Sequence, residues 1–331
     1  MPVLPKPDYR PPFPFTSGHM QTIYPTLFRR LPRTHPTPER LSTPDGDFLD
    51  IDWHMSSNAK THRLAVISHG LEGHARKKYP LGMARHLTDH GWDVICLNFR
   101  CCSAEPNLLV RFYHSGVTDD LHTVIRHALS TKDYQHVGLI GFSMGGNQTL
   151  KYLGEAPDLV PEQVCAAIVF SVPCSLYDAV QVMSGWQNRG YMRYFMKGLR
   201  EKIRIKAQRY PELIDLSGLE DMKTFEIFDD RYTAPLHGFS DGADYYQRCS
   251  SRQFLPMIRV STLMVQALDD PFLPASCYPI EEAENNPNLY LEIPEFGGHV
   301  GFMGRWRESS YWSEKRASGF LESLLDSYQD S

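Results

Sequence analysis

The sequence contains no run approaching about 18 consecutive apolar residues, so it offers no membrane-spanning helix. It has no C-x-x-C pair, and its seven cysteines, at 96, 101, 102, 165, 174, 249 and 277, are an odd number. That pattern excludes a disulfide framework of the secreted type and a cysteine-based zinc site. No G-x-x-x-x-G-K-[ST] phosphate loop occurs, and no G-x-G-x-x-G follows the first core strand. Positive charge is in short supply: 34 Lys and Arg against 39 Asp and Glu leave a net charge of −5. A general nucleic-acid binder would need the opposite balance to neutralise phosphates. The opening MPVLPKPDYRPPFPF is proline-rich and lacks both an apolar core and a cleavage site, so no signal peptide is expected. Internal repeats and low-complexity tracts are also missing. These absences describe a soluble, reduced, cytoplasmic chain.

Of the 331 residues, 42% are apolar and 22% charged, an ordinary balance for a globular protein with a sizeable core. Residues 1–40 hold many of the prolines and little periodicity, and read as an extended arm on the core. Residues 41–331 read as one α/β domain. A turn signal at Pro44-Asp45-Gly46-Asp47 precedes a short alternating strand at 48–53. Apolar, β-branched runs follow at 64–68, 93–98, 136–140, 166–170, 262–267 and 289–293, separated by segments of helix length. That alternation predicts a mostly parallel central sheet with helices on both faces. The rhythm breaks between about 173 and 259, where aromatic and charged residues take a helical spacing. Core strands flank this stretch, which predicts a helical cap insertion at about 174–258. A last helix is expected at about 311–328.

The strongest chemical signal is Gly141-Phe142-Ser143-Met144-Gly145-Gly146, lying between the strand ending at Ile140 and a helix over 147–153. This is the context of a nucleophile elbow, a sharp strand-to-helix turn that exposes a serine oxygen and tolerates only glycine nearby. A serine hydroxyl needs a base, itself oriented by a carboxylate. Where such an elbow carries the nucleophile, these follow in the order Ser, Asp or Glu, His, in loops after late strands. The strand at 262–267 runs into Asp269-Asp270-Pro271-Phe272, and the strand at 289–293 leads to Gly297-Gly298-His299. All would lie at the carboxyl edge of the sheet, where open α/β sheets bind ligands. Of the two acids, Asp270 is the first choice, because it directly precedes Pro271 where the chain turns. Asp269 stays open as the alternative, or as a cap or hydrogen-bond partner. An oxyanion hole needs two backbone N–H groups. Met144, after the nucleophile, and Leu71, in His69-Gly70-Leu71-Glu72-Gly73-His74 after the first parallel strand, are the candidates. His69 reads as a loop brace. Glu72 and His74 form no H-E-x-x-H, so neither a metal nor any cofactor is expected. The adjacent Cys101 and Cys102 read as inert thiols rather than a redox pair.

On these residues the chain resembles the bacterial YheT-type hydrolases, a group that also holds the eukaryotic α/β-hydrolase-domain proteins one to three. The resemblance covers nearly the whole chain. It begins at Gly18-His19-Met20-Gln21-Thr22 and continues through His69–Gly73, Asn98-Phe99-Arg100 and Tyr113-His114-Ser115-Gly116. Further along it takes in Gly141–Asn147, Phe228-Asp229-Asp230 through Thr233-Ala234, His237-Gly238 and Asp244-Tyr245-Tyr246. It ends with Asp269-Asp270-Pro271-Phe272 and Gly297-Gly298-His299-Val300-Gly301-Phe302. It implies an α/β-hydrolase fold, a serine–aspartate–histidine relay on Ser143, Asp270 and His299, and esterase or lipase-like activity. One departure is Cys101, where the family usually has glycine. Eukaryotic relatives often carry a membrane anchor before the domain, and none is expected here.

The leading functional expectation is a serine carboxylic-ester hydrolase acting through an acyl-enzyme on a small-molecule or lipid ester. Acyl transfer to an alcohol shares every step but the acceptor. A non-catalytic hydrolase-fold binding protein is the reading from a different class, since fold does not fix function. Within 191–206, Met192, Phe195, Met196, Leu199 and Ile203 fall at i, i+3, i+4, i+7 and i+11. That spacing draws one apolar stripe along a helix. The stripe either packs on its neighbours or lines an acyl pocket. The opposite face, Arg193, Lys197, Arg200 and Arg204, could make a weak peripheral contact with anionic lipid headgroups.

Overall fold

Each core strand sends alternate side chains to opposite faces, and in the computed structural model, which describes residues 3–31, 34–305 and 308–329, both faces are covered. Strands β1 (Thr37–Ser42), β2 (Phe48–His54), β3 (Arg63–Ser68), β4 (Asp93–Leu97), β5 (His136–Phe142), β6 (Val164–Phe170), β7 (Ser261–Val265) and β8 (Leu289–Glu292) make one sheet. Its order is β1-β2-β4-β3-β5-β6-β7-β8. Strands β3 to β8 run parallel, and only β2 and β1 pair antiparallel at one edge.

The helices are α1 (Gly18–Phe28), α2 (Lys78–Asp89), α3 (Asp119–Thr131), α4 (Met144–Glu155), α5 (Leu176–Met183), α6 (Arg189–Arg209), α7 (Phe225–Phe228), α8 (Ala234–Leu236), α9 (Gly242–Cys249), α10 (Ile280–Asn285) and α11 (Trp312–Gln329). Leu64, Val66, Ile95, Leu97, Leu139 and Val169 pack to one side, with α3, α4 and the helices that follow β6. Ala65, Ile67, Val94, Cys96, Ile140 and Ile168 pack to the other, with α2 and α11. Each large side chain buried this way contributes about 1.5–3 kcal/mol. Between β6 and β7 the chain forms α5 to α9 with short 3-10 turns and no strand. The turn at Pro44–Asp47 is held by a buried cluster in which the Arg100 guanidinium meets Asp45, Asp47 and Asp120 at 2.9, 2.9 and 2.7 Å.

Two readings of residues 1–40 need correction. The arm is extended only in part: Val3 bridges Leu291, and the Leu4 N–H donates to the Leu291 carbonyl at 2.8 Å, but Gly18–Phe28 is a helix. Its buried residues are Gly18, Gln21 and Pro25, while Met20, Ile23, Leu27 and Phe28 are exposed. A helix that turns its apolar residues outward leaves no amphipathic signal pointing at a core. The boundary at residue 40 also falls inside β1. That edge strand buries only Leu41 and therefore shows no alternation.

The sheet order positions the site. β3 has β4 on one side and β5 on the other, so the chain reverses its direction of travel across the sheet there. Ser68 pairs with Gly141, and the segments leaving β3 and β5 emerge side by side at the carboxyl edge. Open α/β sheets form their crevice at such a switch point.

Candidate active site

At the end of β5 the chain turns directly into α4 through Ser143, whose φ of 53° and ψ of −118° lie outside the usual regions. The turn is feasible because its flanking glycines leave room. A Cβ on Gly145 would sit 2.4 Å from the Ser68 carbonyl oxygen, and one on Gly141 would sit 2.5 Å from the Gly146 Cα. The Ser143 N–H donates to the Phe170 carbonyl on β6 at 2.8 Å, which fixes the elbow to the next strand. One helical turn on, the Asn147 amide donates to the Ser115 and Cys249 carbonyls at 2.9 and 2.8 Å.

His299 and Asp270 come to this serine from the ends of β8 and β7. The Ser143 hydroxyl lies 2.8 Å from His299 Nε2, and His299 Nδ1 lies 3.0 and 3.2 Å from the two oxygens of Asp270. A proton on Nδ1 with Nε2 as acceptor satisfies all three contacts. The Asp270 side chain is fully buried, and its Oδ1 also accepts the Phe272 N–H at 2.9 Å. The Phe272 ring packs on the imidazole at 4.3 Å between centroids.

Asp269 does something else. Its Oδ1 accepts the Gly298 N–H at 2.8 Å, and its Oδ2 has no partner among the described residues. Burial raises its carboxyl above the usual range. Asp269 thus holds the loop on which His299 sits, while Asp270 meets the imidazole.

Two further braces of that loop have no local sequence signature. The His299 N–H donates to the Thr22 hydroxyl of α1, and the Val300 N–H to the Ser171 hydroxyl, both at 2.9 Å. α1 fits closely: a Cβ on Gly18 would lie 1.8 Å from the Asp269 carbonyl oxygen, and Gly298 takes φ +56° beside the Gly18 carbonyl. Only the resemblance at Gly18–Thr22 pointed to this segment.

The segment after β3 runs beside the serine, where a Cβ on Gly70 would be 3.1 Å from Ser143 Cβ. Leu71 follows, and Met144 is the first residue of α4, so its N–H has no intrahelical acceptor. Glu72, at φ 54°, accepts the Lys202 ammonium from α6 at 2.7 Å and the Tyr113 hydroxyl at 2.5 Å. His69 accepts the Phe99 N–H at 3.3 Å and holds the Gly70 carbonyl at 2.7 Å, and burial pushes its pKa down to about 3. It is a neutral brace.

Ser143, His299, Leu71 and Met144 open onto a cavity of about 670 Å³, roofed by the helices after β6. The stripe on α6 divides there. Phe195 and Leu199 line the cavity, whereas Met192, Met196 and Ile203 are buried in the core behind it. On the opposite face, Arg200 and Arg204 both pair with Glu220, and Arg204 also pairs with Glu201, leaving Arg193 and Lys197 exposed. Cys101 has φ 62°, the left-handed conformation that favours glycine. Its thiol lies 2.9 Å from Asn107 Oδ1. Burial raises the pKa of both Cys101 and Cys102, which disfavours reactive thiolates.

The sequence profile of the alpha/beta hydrolase fold matches residues 66–305. YheT of Escherichia coli (strain K12), which bears the name of an esterase, is 34% identical over 316 residues, covering 94% of this chain and 92% of that protein. The human phospholipase ABHD3 is 27% identical over 317 residues, covering 93% of this chain and 77% of its own length. Among solved structures, an esterase of Pyrococcus furiosus superposes with a TM-score of 0.59 at 15% identity, covering 90% of this chain and 98% of that one. At that identity the likeness speaks for the fold.

Proposed function

The chain belongs to the α/β-hydrolase family, and within it we propose a serine carboxylic-ester hydrolase that works through an acyl-enzyme. The observation that carries this reading is the continuous line of contacts from Ser143 Oγ through His299 to Asp270, at 2.8 and 3.0 Å, on the floor of an apolar cavity. Relatives named for esterase and phospholipase activity support the substrate class.

In this mechanism Ser143 Oγ attacks the ester carbonyl carbon while His299 Nε2 takes the hydroxyl proton. Asp270 keeps the proton of the imidazole on Nδ1 and stabilises the imidazolium that forms. The negative charge arising on the carbonyl oxygen is received by the Leu71 and Met144 N–H groups, at the positive end of α4. The carbon–oxygen bond to the leaving alcohol then breaks, and His299 returns its proton to that alcohol. Water attacks the acyl-enzyme with His299 again as base, releasing the acid and restoring the serine. The acyl chain occupies the part of the cavity bounded by Phe195, Leu199, Leu176 and Val180. Every step uses groups of this chain and water. Seven free cysteines fit a reducing, cytoplasmic compartment, and no helix of the described residues is long and apolar enough to cross a membrane.

The test is hydrolysis of p-nitrophenyl butyrate by the purified protein and by Ser143→Ala and His299→Ala. Both variants should lose at least about a thousandfold in kcat with unchanged melting, because members of such a relay act as a unit. Near-normal turnover by Ser143→Ala in a clean preparation would overturn the mechanism.

A further inference from the structure

A half-buried carboxylate lines the same cavity from above and has no part in the reaction proposed. Asp229 begins a single π turn, Asp229–Thr233, between α7 and α8. Such turns are rare and recur at functional sites. Its Oδ1 accepts the Thr233 hydroxyl at 2.5 Å, and its Oδ2 accepts the Tyr246 hydroxyl of α9 at 2.7 Å. Burial pushes its carboxyl up to about 6 against these two hydrogen bonds, and no cation is among the groups that act on it. At neutral pH it is therefore mainly an anion without a counter-ion. Although it lies deep in the protein, it keeps accessible surface, and Thr233 and Tyr246 line the cavity with it.

A tie between Thr233 and Tyr246 does not require an acid. An asparagine could hold both hydroxyls without the cost of desolvating a charge. A carboxylate adds free lone pairs and charge toward the cavity, and those call for a further donor. His114 supplies the complementary group. It lines the same cavity, its Nδ1 accepts the Gly116 N–H at 3.1 Å, and so its proton sits on Nε2. Burial, with His237 beside it, holds the ring neutral. The ring lies edge-on to Tyr245, 5.7 Å between centroids, next to Tyr246. An anionic acceptor and a neutral donor in one cavity match a hydroxyl, which gives one hydrogen bond and takes another. A plain alkyl end would displace water from Asp229 and offer nothing in return, and a carboxylate end would meet like charge. These residues fall in Tyr113–Gly116, Phe228–Thr233 and Asp244–Tyr246, three segments of the resemblance that the relay leaves unused.

We propose that Asp229, Thr233 and Tyr246 of the cap, with His114 of the segment before α3, form a polar subsite that binds a hydroxyl carried on the acyl chain of the ester. The inference rests on the ester-hydrolase reading and deepens it. The preferred substrates are hydroxylated acyl esters rather than plain fatty esters.

The experiment uses p-nitrophenyl esters of four to twelve carbons in three series: plain, terminally hydroxylated and terminally carboxylated. Each is assayed with the wild type, Asp229→Leu and Asp229→Asn. At one or more chain lengths the wild type should favour the hydroxylated over the plain ester by roughly tenfold or more in kcat/KM, with the carboxylated ester lowest. Asp229→Leu should bring that ratio to about one or below, and Asp229→Asn, which keeps an acceptor, should retain part of it. The ratio is taken on a single preparation, so it does not depend on how much of the variant folds. No hydroxyl preference at any length in the wild type would overturn the subsite, as would an unchanged ratio in Asp229→Leu. Failure of the wild type to turn over any ester would instead bring down the ester-hydrolase reading, and the subsite with it.

Discussion

The cavity has a floor and a roof, and they are built differently. The floor is the carboxyl edge of the sheet, where Ser143, Asp270 and His299 sit one, five and seven residues past the ends of β5, β7 and β8. Their positions follow from strand register and from backbone packed too closely for any Cβ, as at Gly141, Gly145 and Gly18. The roof is the long α6 with a set of short helices, held by side chains: Lys202 to Glu72, Tyr246 and Thr233 to Asp229, Asn147 to Cys249. Backbone-fixed groups serve chemistry that tolerates little displacement. Side-chain packing can change from one substrate to another without moving the floor. Substitutions on the floor should therefore act on every ester alike, and substitutions in the roof should act selectively.

The largest effect that sharpens this contrast separates the two neighbouring acids. Asp270→Asn should lower kcat on the order of ten-thousandfold by favouring the wrong imidazole tautomer, with every ester affected equally. Asp269→Asn should cost far less in kcat and show itself in stability, by about 1–3 kcal/mol, through the weakened hold on the Gly298 N–H. Steady-state kinetics beside thermal melting of both variants checks the pair, and the reverse ranking would transfer the role to Asp269.

Gly18→Ala comes next. Its Cβ would meet the Asp269 carbonyl oxygen at 1.8 Å, so α1 or the loop must shift. A displacement near 1 Å at His299 should cost roughly a hundredfold in kcat, again for all esters. Kinetics across a set of chain lengths reads it. An unaffected kcat would show that the arm does not position the histidine loop.

How far the sequence reveals each wall follows from the same contrast. The strands are legible because contiguous β-branched runs, such as 64–68 and 136–140, are buried on both faces. Ser143, Asp270 and His299 stand out because they lie three, three and six residues after the runs at 136–140, 262–267 and 289–293, and in the structure they meet. α1 is hidden because Met20, Ile23 and Leu27 face outward. Thr22 shows only through the resemblance and Ser171 leaves no trace, because they hold the histidine loop across 277 and 129 residues of sequence, beyond any local pattern. The roof is legible only as helical spacing. Its short helices and π turn show no repeat from which a cavity wall could be read, and the stripe on α6 does not say which of its edges meets the cavity.

Phe195→Ala and Leu199→Ala should show the selective behaviour of the roof. The ratio of long-chain to acetate ester kcat/KM should fall by about tenfold, since each removes apolar contact with the distal chain. A p-nitrophenyl ester series from two to sixteen carbons measures it. A uniform loss at all lengths with a lowered melting temperature would assign these residues to the fold alone.

The smallest effect is one of pH. The Asp229 carboxyl, raised to about 6, binds its proton more tightly in the native than in the unfolded chain. Its contribution to stability is therefore greatest below the unfolded carboxylate range and is lost as pH rises through about 6. Asp229→Asn removes this loss, so the melting temperature of the variant minus that of the wild type should rise between pH 4 and pH 7. A difference independent of pH would mean that the carboxyl titrates normally.

The serine at the elbow is the proposed nucleophile, and intact mass analysis after fluorophosphonate treatment decides whether it is. One adduct per wild-type chain is expected, located at Ser143 by peptide mapping, and none on a folded Ser143→Ala variant. A folded wild type that takes no label, or a Ser143→Ala variant that takes it equally well, would rule out Ser143 as the nucleophile.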